Sequence, residues 1–242
     1  MPTPRHLSRA PLLEALIDLQ LSSPLNLSFA EDLANKTISG LERKNEIRQF
    51  SIKLFGPDQP VQDRSEELLG WRYESADGSR VVQLRRNGMT YSILREYTDW
   101  NDIKSATHSI WTLFRGWTGK VSLGRVAVRY TNVLNLPFGA ELNDYLAAAP
   151  QVPRGLPQTL THFLERIVVP FDHGIFANVT QTLEPALTIP PVTRVILDID
   201  AFSQRPFESD SNELWVFLDH LRAVKNDIFF YSVTDRALEA YE

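Results

Sequence analysis

The chain has 242 residues, 43% of them hydrophobic and 23% charged, with a formal net charge of −5 and no cysteine. That composition excludes disordered and collagen-like classes, and the lack of thiols excludes disulfides, thiolate metal sites, iron–sulfur clusters and a Cys nucleophile. No run approaches the roughly 18 consecutive apolar residues of a membrane span. The start, Met1-Pro2-Thr3-Pro4-Arg5-His6, lacks a signal peptide's apolar stretch, so a cytoplasmic protein with no membrane partner is expected.

In chain order, Leu12–Leu21 alternates as a half-buried strand, with Leu13, Ala15, Ile17, Leu19 and Leu21 on one face and Glu14, Asp18 and Gln20 on the other. Ser28 followed by Glu31 is a capping-box pattern, and Leu33, Thr37, Ile38 and Leu41 continue at helical spacing to Arg43 and Lys44, which predicts a helix. A short strand, Gln49 to Phe55, ends at Gly56-Pro57, and the polar stretch 57–67 reads as an exposed loop. Strands around Trp71–Ser75 and Arg80–Arg85 flank Ala76-Asp77-Gly78-Ser79, and Asn87-Gly88 turns the chain into Met89–Glu96, giving an antiparallel meander. Thr98 or Asp99 caps a helix striped by Ile103, Ile110, Trp111, Phe114 and Trp117, and a strand Arg125–Leu134 follows, closed by Pro137.

Beyond Pro137 the pattern predicts short helical pieces near 141–148 and 157–164. Strands at 166–171, 176–183 and 194–202 come next, then a helix from Ser211 to Lys225 and a last strand from Ile228 to Val233. Lys225-Asn226 reads as helix-ending chemistry. The class expected is α+β: antiparallel sheets with long amphipathic helices on one face. Two structurally similar halves, 1–137 and 138–242, form one compact unit. Residues 1–137 carry 18 Lys+Arg against 15 Asp+Glu, a net of +3, and residues 138–242 carry 7 against 15, a net of −8. The basic half suits an anionic partner and the acidic half a basic surface, although uneven charge that only solubilises would look the same.

Dinucleotide, phosphate-loop and nucleophile-elbow motifs are missing, and no His pair has zincin spacing; His162 with Glu165 is the nearest thing to a ligand pair. The catalytic candidates are Asp198 and Asp200 in Leu197-Asp198-Ile199-Asp200. Two apart on a strand, they share a face at a spacing that suits Mg²⁺ or Mn²⁺, and Glu14 and Asp18 are possible further ligands. A sheet with one wet side carries the same pattern. The anion-binding candidates are Arg72, Arg85, Arg86, Arg125 and Arg129, interleaved with Trp71, Tyr73, Tyr91 and Tyr130 as on a surface that holds phosphates or single-stranded nucleic acid. An overall acidic chain and the routine use of Arg on sheet surfaces weigh against nucleic acid. Trp100, Trp111, Trp117 and Trp215 read as packing residues.

Five segments carry a resemblance that covers nearly the whole chain: 10–18 (APLLEALID), Gly70-Trp71-Arg72-Tyr73 with 77–83 (DGSRVVQ), Arg129-Tyr130-Thr131-Asn132, Leu197-Asp198-Ile199-Asp200, and 221–229 (LRAVKNDIF). Together they resemble a sporadically distributed prokaryotic family of uncharacterised proteins about this long, with no assigned activity or catalytic residues. The resemblance implies a complete chain acting as a single unit. Patchy distribution implies an accessory role in prokaryotic defence or a toxin–antitoxin pair. The function expected is a binding or interaction module for a protein partner or an anionic ligand, with homodimer formation compatible. The alternative is a divalent-metal-dependent hydrolase or nuclease that uses Asp198 and Asp200.

Overall fold

A computed structural model describes residues 5, 7–53, 63–94, 97, 99–185 and 192–242. It is a mixed α/β fold with a large antiparallel sheet, and it divides into two compact units. The first unit comprises 17–125 with 206–210, and the second comprises 1–16, 126–205 and 211–242. The first unit carries 15 Lys+Arg against 16 Asp+Glu, a net of −1, and the second 10 against 14, a net of −4.

In the first unit, strands β2 (Arg43–Lys53), β3 (Asp63–Glu74), β4 (Arg80–Arg85) and β5 (Gly88–Ile93) form an antiparallel meander. Strand β1 (Leu12–Leu21) contributes its second part and β6 (Ser122–Pro137) its first four residues, where the two-residue β10 (Phe207–Glu208) pairs. The β3–β4 turn follows from its sequence. Gly78 takes φ +73°, and Asp77 accepts hydrogen bonds from Ser75 Oγ, Ser79 N and Ser79 Oγ, which hold its carboxyl well below the usual range. Helix α2 (Trp100–Thr118) starts where Asp99 accepts from Asp102 N and lies against β5; of the expected stripe Ile103, Ile110, Trp111 and Phe114 are buried, and Trp117 is half-buried.

The predicted helix after Ser28 is much shorter than its spacing suggests. Helix α1 spans Leu27–Asp32 with Asn26 at its cap, one 3₁₀ turn follows over Leu33–Asn35, and Ile38 and Leu41 form a bridge. A competing set of bonds ends it: Lys44 Nζ donates to the carbonyls of Leu33, Ala34 and Lys36, and Tyr73 Oη donates to Leu33. Burial of that phenol pushes its pKa up to about 12. Strand β2 begins at Arg43, six residues before the expected start, and β3 begins at Asp63, within the expected loop. Phe55, Gly56-Pro57 and Glu96 lie outside the described residues.

In the second unit the strand order is β1 (first part), β6, β9 (Val192–Ser203), β8 (Ile175–Pro185) and β7 (Phe163–Phe171); β6, β9, β8 and β7 are antiparallel neighbours. Helix α3 (Asn212–Ser232) packs on β9. The core between them gathers Leu134, Leu197, Ile199, Val179, Phe229 and Val233 among others. Two expectations fail here. The pieces at 141–148 and 157–164 reduce to one 3₁₀ turn, Leu142–Asp144, and the final strand does not form because α3 runs on to Ser232. Leu214, Leu218, Leu221, Lys225, Ile228 and Phe229 are all buried, so the apolar stripe continues through Lys225-Asn226 at helical spacing and overrides the helix-ending signal.

Candidate functional site

Directly opposed residues in an antiparallel ladder share a face, so the registers of the second unit define a grid. Arg129, Asp200, Asn178 and Val168 form one row across β6, β9, β8 and β7, and Thr131, Asp198, Thr180 and Arg166 form the next. This is the face opposite the core, since the intervening Tyr130, Leu197, Ile199 and Val179 are buried.

Hydrogen bonds link the grid. Arg129 grips Asp198 with both ends of its fork, Nε to Oδ1 at 2.8 Å and Nη2 to Oδ2 at 2.6 Å, while Thr131 Oγ1 donates to Oδ1 at 3.4 Å. Asn178 Nδ2 donates to Asp200 Oδ2 at 3.0 Å, and Arg166 Nη2 donates to Asn178 Oδ1 at 3.0 Å. The guanidinium of Arg129 is held above its ordinary pKa, first by its hydrogen bond to Asp198 and further by the charges of Asp198, Asp200 and Glu14, against desolvation. Glu14 therefore acts on the same field as Asp198 and Asp200, as the sequence allowed. With 46% of its side chain exposed, Arg129 keeps a wet flank.

Asp18 belongs to a different cluster, in the first unit. Its Oδ1 accepts from Thr90 Oγ1 (2.6 Å) and Arg85 Nη2 (2.9 Å), and its Oδ2 from Gln20 Nε2 (2.7 Å) and Arg125 Nη1 (3.3 Å). Arg85 also donates to Gln83 Oε1 and Thr90 Oγ1. A buried carboxylate with four donors has its lone pairs used, and its two arginines share its one negative charge.

The remaining arginines are likewise occupied: Arg72 pairs with Glu74, and Arg86 with Glu67 and the carbonyl of Leu25. The five candidates thus form no common anion-binding patch; only Arg85 and Arg125 meet, at Asp18. The stacking part of that expectation fails. Tyr73, Tyr91 and Tyr130 are buried on the core side, and Trp71 donates through Nε1 to Ala30 O while Lys44 lies over its ring.

For the metal expectation, the relevant contact is the Arg129 fork, which bonds both oxygens of Asp198. No group of three or more His, Asp or Glu side chains able to hold a metal ion occurs among the described residues. His162 and Glu165 do not form a ligand pair either, since His162 Nδ1 lies 2.8 Å from Leu183 O and Glu165 stands on β7.

Sequence reasoning missed the environment of Lys225. It sits in the middle of α3 on the core stripe, 7% exposed, with Nζ 3.5 Å from the centroid of the Tyr130 ring. Burial, helped by the nearby charge of Arg222, pulls its pKa down to about 7. The available signal was its spacing, four residues after Leu221 and four before Phe229, a position that an apolar residue would ordinarily fill.

Searches of family models, of curated proteins and of solved structures each return no match to the chain.

Proposed function

We propose that this chain is a binding module whose recognition surface is the open sheet face of the second unit, and that its partner is a polypeptide. One observation carries the reading: Asp198 and Asp200 are tied into a preformed network of Arg129, Thr131, Asn178 and Arg166, with a half-exposed guanidinium on top. Such a network presents fixed donors and acceptors at low ordering cost, which is what recognition of a polar backbone or side chain uses. A general acid or a cation ligand needs a carboxylate with free lone pairs, whereas Asp198 already accepts from both ends of the Arg129 fork and from Thr131, and Asp200 accepts from Asn178. The two units share an order of elements, a strand, an antiparallel meander and a long helix, and we read this as an ancestral duplication that leaves two sheet faces for such use.

Native mass spectrometry of the protein isolated gently from its own cells tests the reading. The expected result is a complex with another polypeptide whose occupancy falls in Arg129→Ala and in Asp198→Asn. A bare chain that binds Mg²⁺ or Mn²⁺ stoichiometrically, and loses it in Asp198→Asn with Asp200→Asn, would establish the metal-dependent hydrolase or nuclease instead.

A further inference from the structure

Strand β7 lies at the end of the second unit's strand order, so one row of its backbone N–H and C=O groups has no strand partner among the described residues. Proteins ordinarily blunt such edges with charge. The edge strand of the first unit does so, with Arg43, Lys44, Glu46 and Arg48 within six residues. Strand β7 does not. Its sequence is Phe-Leu-Glu-Arg-Ile-Val-Val-Pro-Phe, and Leu164, Ile167 and Val168 are 68%, 49% and 56% exposed. Pro170, near its end, is the one residue that resists ladder formation, through its missing N–H.

The charges on this edge are unbalanced. Its single basic residue, Arg166, already donates to Asn178. Glu165 and, in the turn that follows, Asp172 are exposed, and their carboxylates have no ion pair or hydrogen bond among the described residues. Gln181 stands directly opposite Glu165 on β8, on the same face, and its buried Oε1 has no donor among the described residues. The exposed, unanswered carboxylate of Glu165 calls for a cation delivered from the strand position beyond β7.

From these observations we propose that β7 receives an added strand from a different protein, an extended segment of alternating apolar residues with a Lys or Arg placed opposite Glu165. The proposal rests on the binding-module reading and names the chemistry of its partner. Strand addition supplies affinity through the main chain, while the side chains opposite Glu165, Ile167, Leu164 and Val168 supply specificity. A second copy of this chain is the wrong occupant. Antiparallel pairing of β7 with itself runs about an axis perpendicular to the sheet, so paired residue numbers must sum to an even value. Glu165 therefore never faces Arg166 of the other copy, and the register centred on Ile167 sets the two Arg166 side chains diagonally together.

The test uses the full-length protein and two synthetic nine-residue peptides, one of alternating valine and lysine and one of alternating valine and glutamate, with affinity read by fluorescence anisotropy. The lysine peptide is expected to bind and to slow amide exchange in 163–171. Glu165→Lys should weaken it about fivefold and reverse the preference toward the glutamate peptide, which shows that the variant is folded. Indifference of both peptides to Glu165→Lys, or amide protection confined to other strands, would overturn the proposal. So would dimerisation that Ile167→Lys abolishes. If the complex from cells still depends on Arg129 and Asp198 while either of these happens, the binding-module reading stands and only the edge assignment falls.

Discussion

At the scale of single residues, three side chains account for much of the chemistry and each behaves differently when removed. Asp18 is buried under four donors, so Asp18→Asn leaves Arg85 and Arg125 without their shared counter-charge. A loss of about 2–3 kcal/mol in urea unfolding is expected. Asp198 sits in a wetter pair, and Asp198→Asn should cost less than about 1 kcal/mol, which makes it a clean probe of binding. Lys225 has the opposite sign. Its folded pKa is depressed to about 7 by burial, so the unfolded chain holds the extra proton across the window from 7 to the ordinary lysine value. Stability contributed by this group therefore rises as pH climbs through that window, and the penalty for burying the ammonium is complete below 7. The face of the Tyr130 ring offsets part of that penalty for the charged form. Thermal melts at pH 6 and pH 9 should show Lys225→Met raising Tm most at the lower pH. A variant with an unchanged or lowered Tm at pH 6 would contradict this account of the site.

At the scale of elements, what was legible in the sequence was local. Period-two alternation in Leu12–Leu21 and 194–202, the turn residues around Gly78, and Asp99 before an apolar stripe each encode their element within a few residues, and those elements formed. Two of the failures involve partners outside the local pattern. Helix α1 is cut short by Lys44 and Tyr73, which its own sequence does not contain, and α3 outruns its apparent stop because Lys225 is buried against Tyr130, more than ninety residues earlier. Close strand approach is equally invisible from sequence. A Cβ on Gly70 would collide with the backbone carbonyl of Leu84 and lie 2.7 Å from Arg85 Cα. Gly70→Ala should therefore separate β3 from β4 at a cost of about 3 kcal/mol, measurable by chemical denaturation.

For the candidate site, the sequence supplied the residues and withheld the pairing. Asp198 and Asp200 share a face as their spacing required, and Glu14 joins them, but nothing in the chain order announced that Arg129 would occupy Asp198 or that Asp18 would belong to a separate cluster. The arginines looked like a patch because they are close in sequence, yet strand registers distribute them among different carboxylates.

At the scale of the whole molecule, charge changes meaning with the boundary used. Cut at residue 137, the chain reads as basic and acidic halves. By compact unit the net charges are −1 and −4, because Arg129 and the stretch 1–16, with Arg5, Arg9 and Glu14, join the acidic unit while Glu208 and Asp210 join the other. A unit of net −4 with an apolar edge strand favours a basic polypeptide over an anion. No helix among the described residues is long and apolar enough to cross a membrane. Binding to this unit should weaken as ionic strength rises, because the pairing with Glu165 and Asp172 is surface-exposed and screened by salt.

The most direct single test of the account is hydrogen exchange on the complex isolated from the protein's own cells, compared with the same protein stripped of its partner. The account predicts that those amides of 163–171 that point away from β8 exchange rapidly in the bare chain and slowly in the complex. Protection elsewhere with these outward amides unchanged would contradict it, as would a stripped protein in which they are already protected.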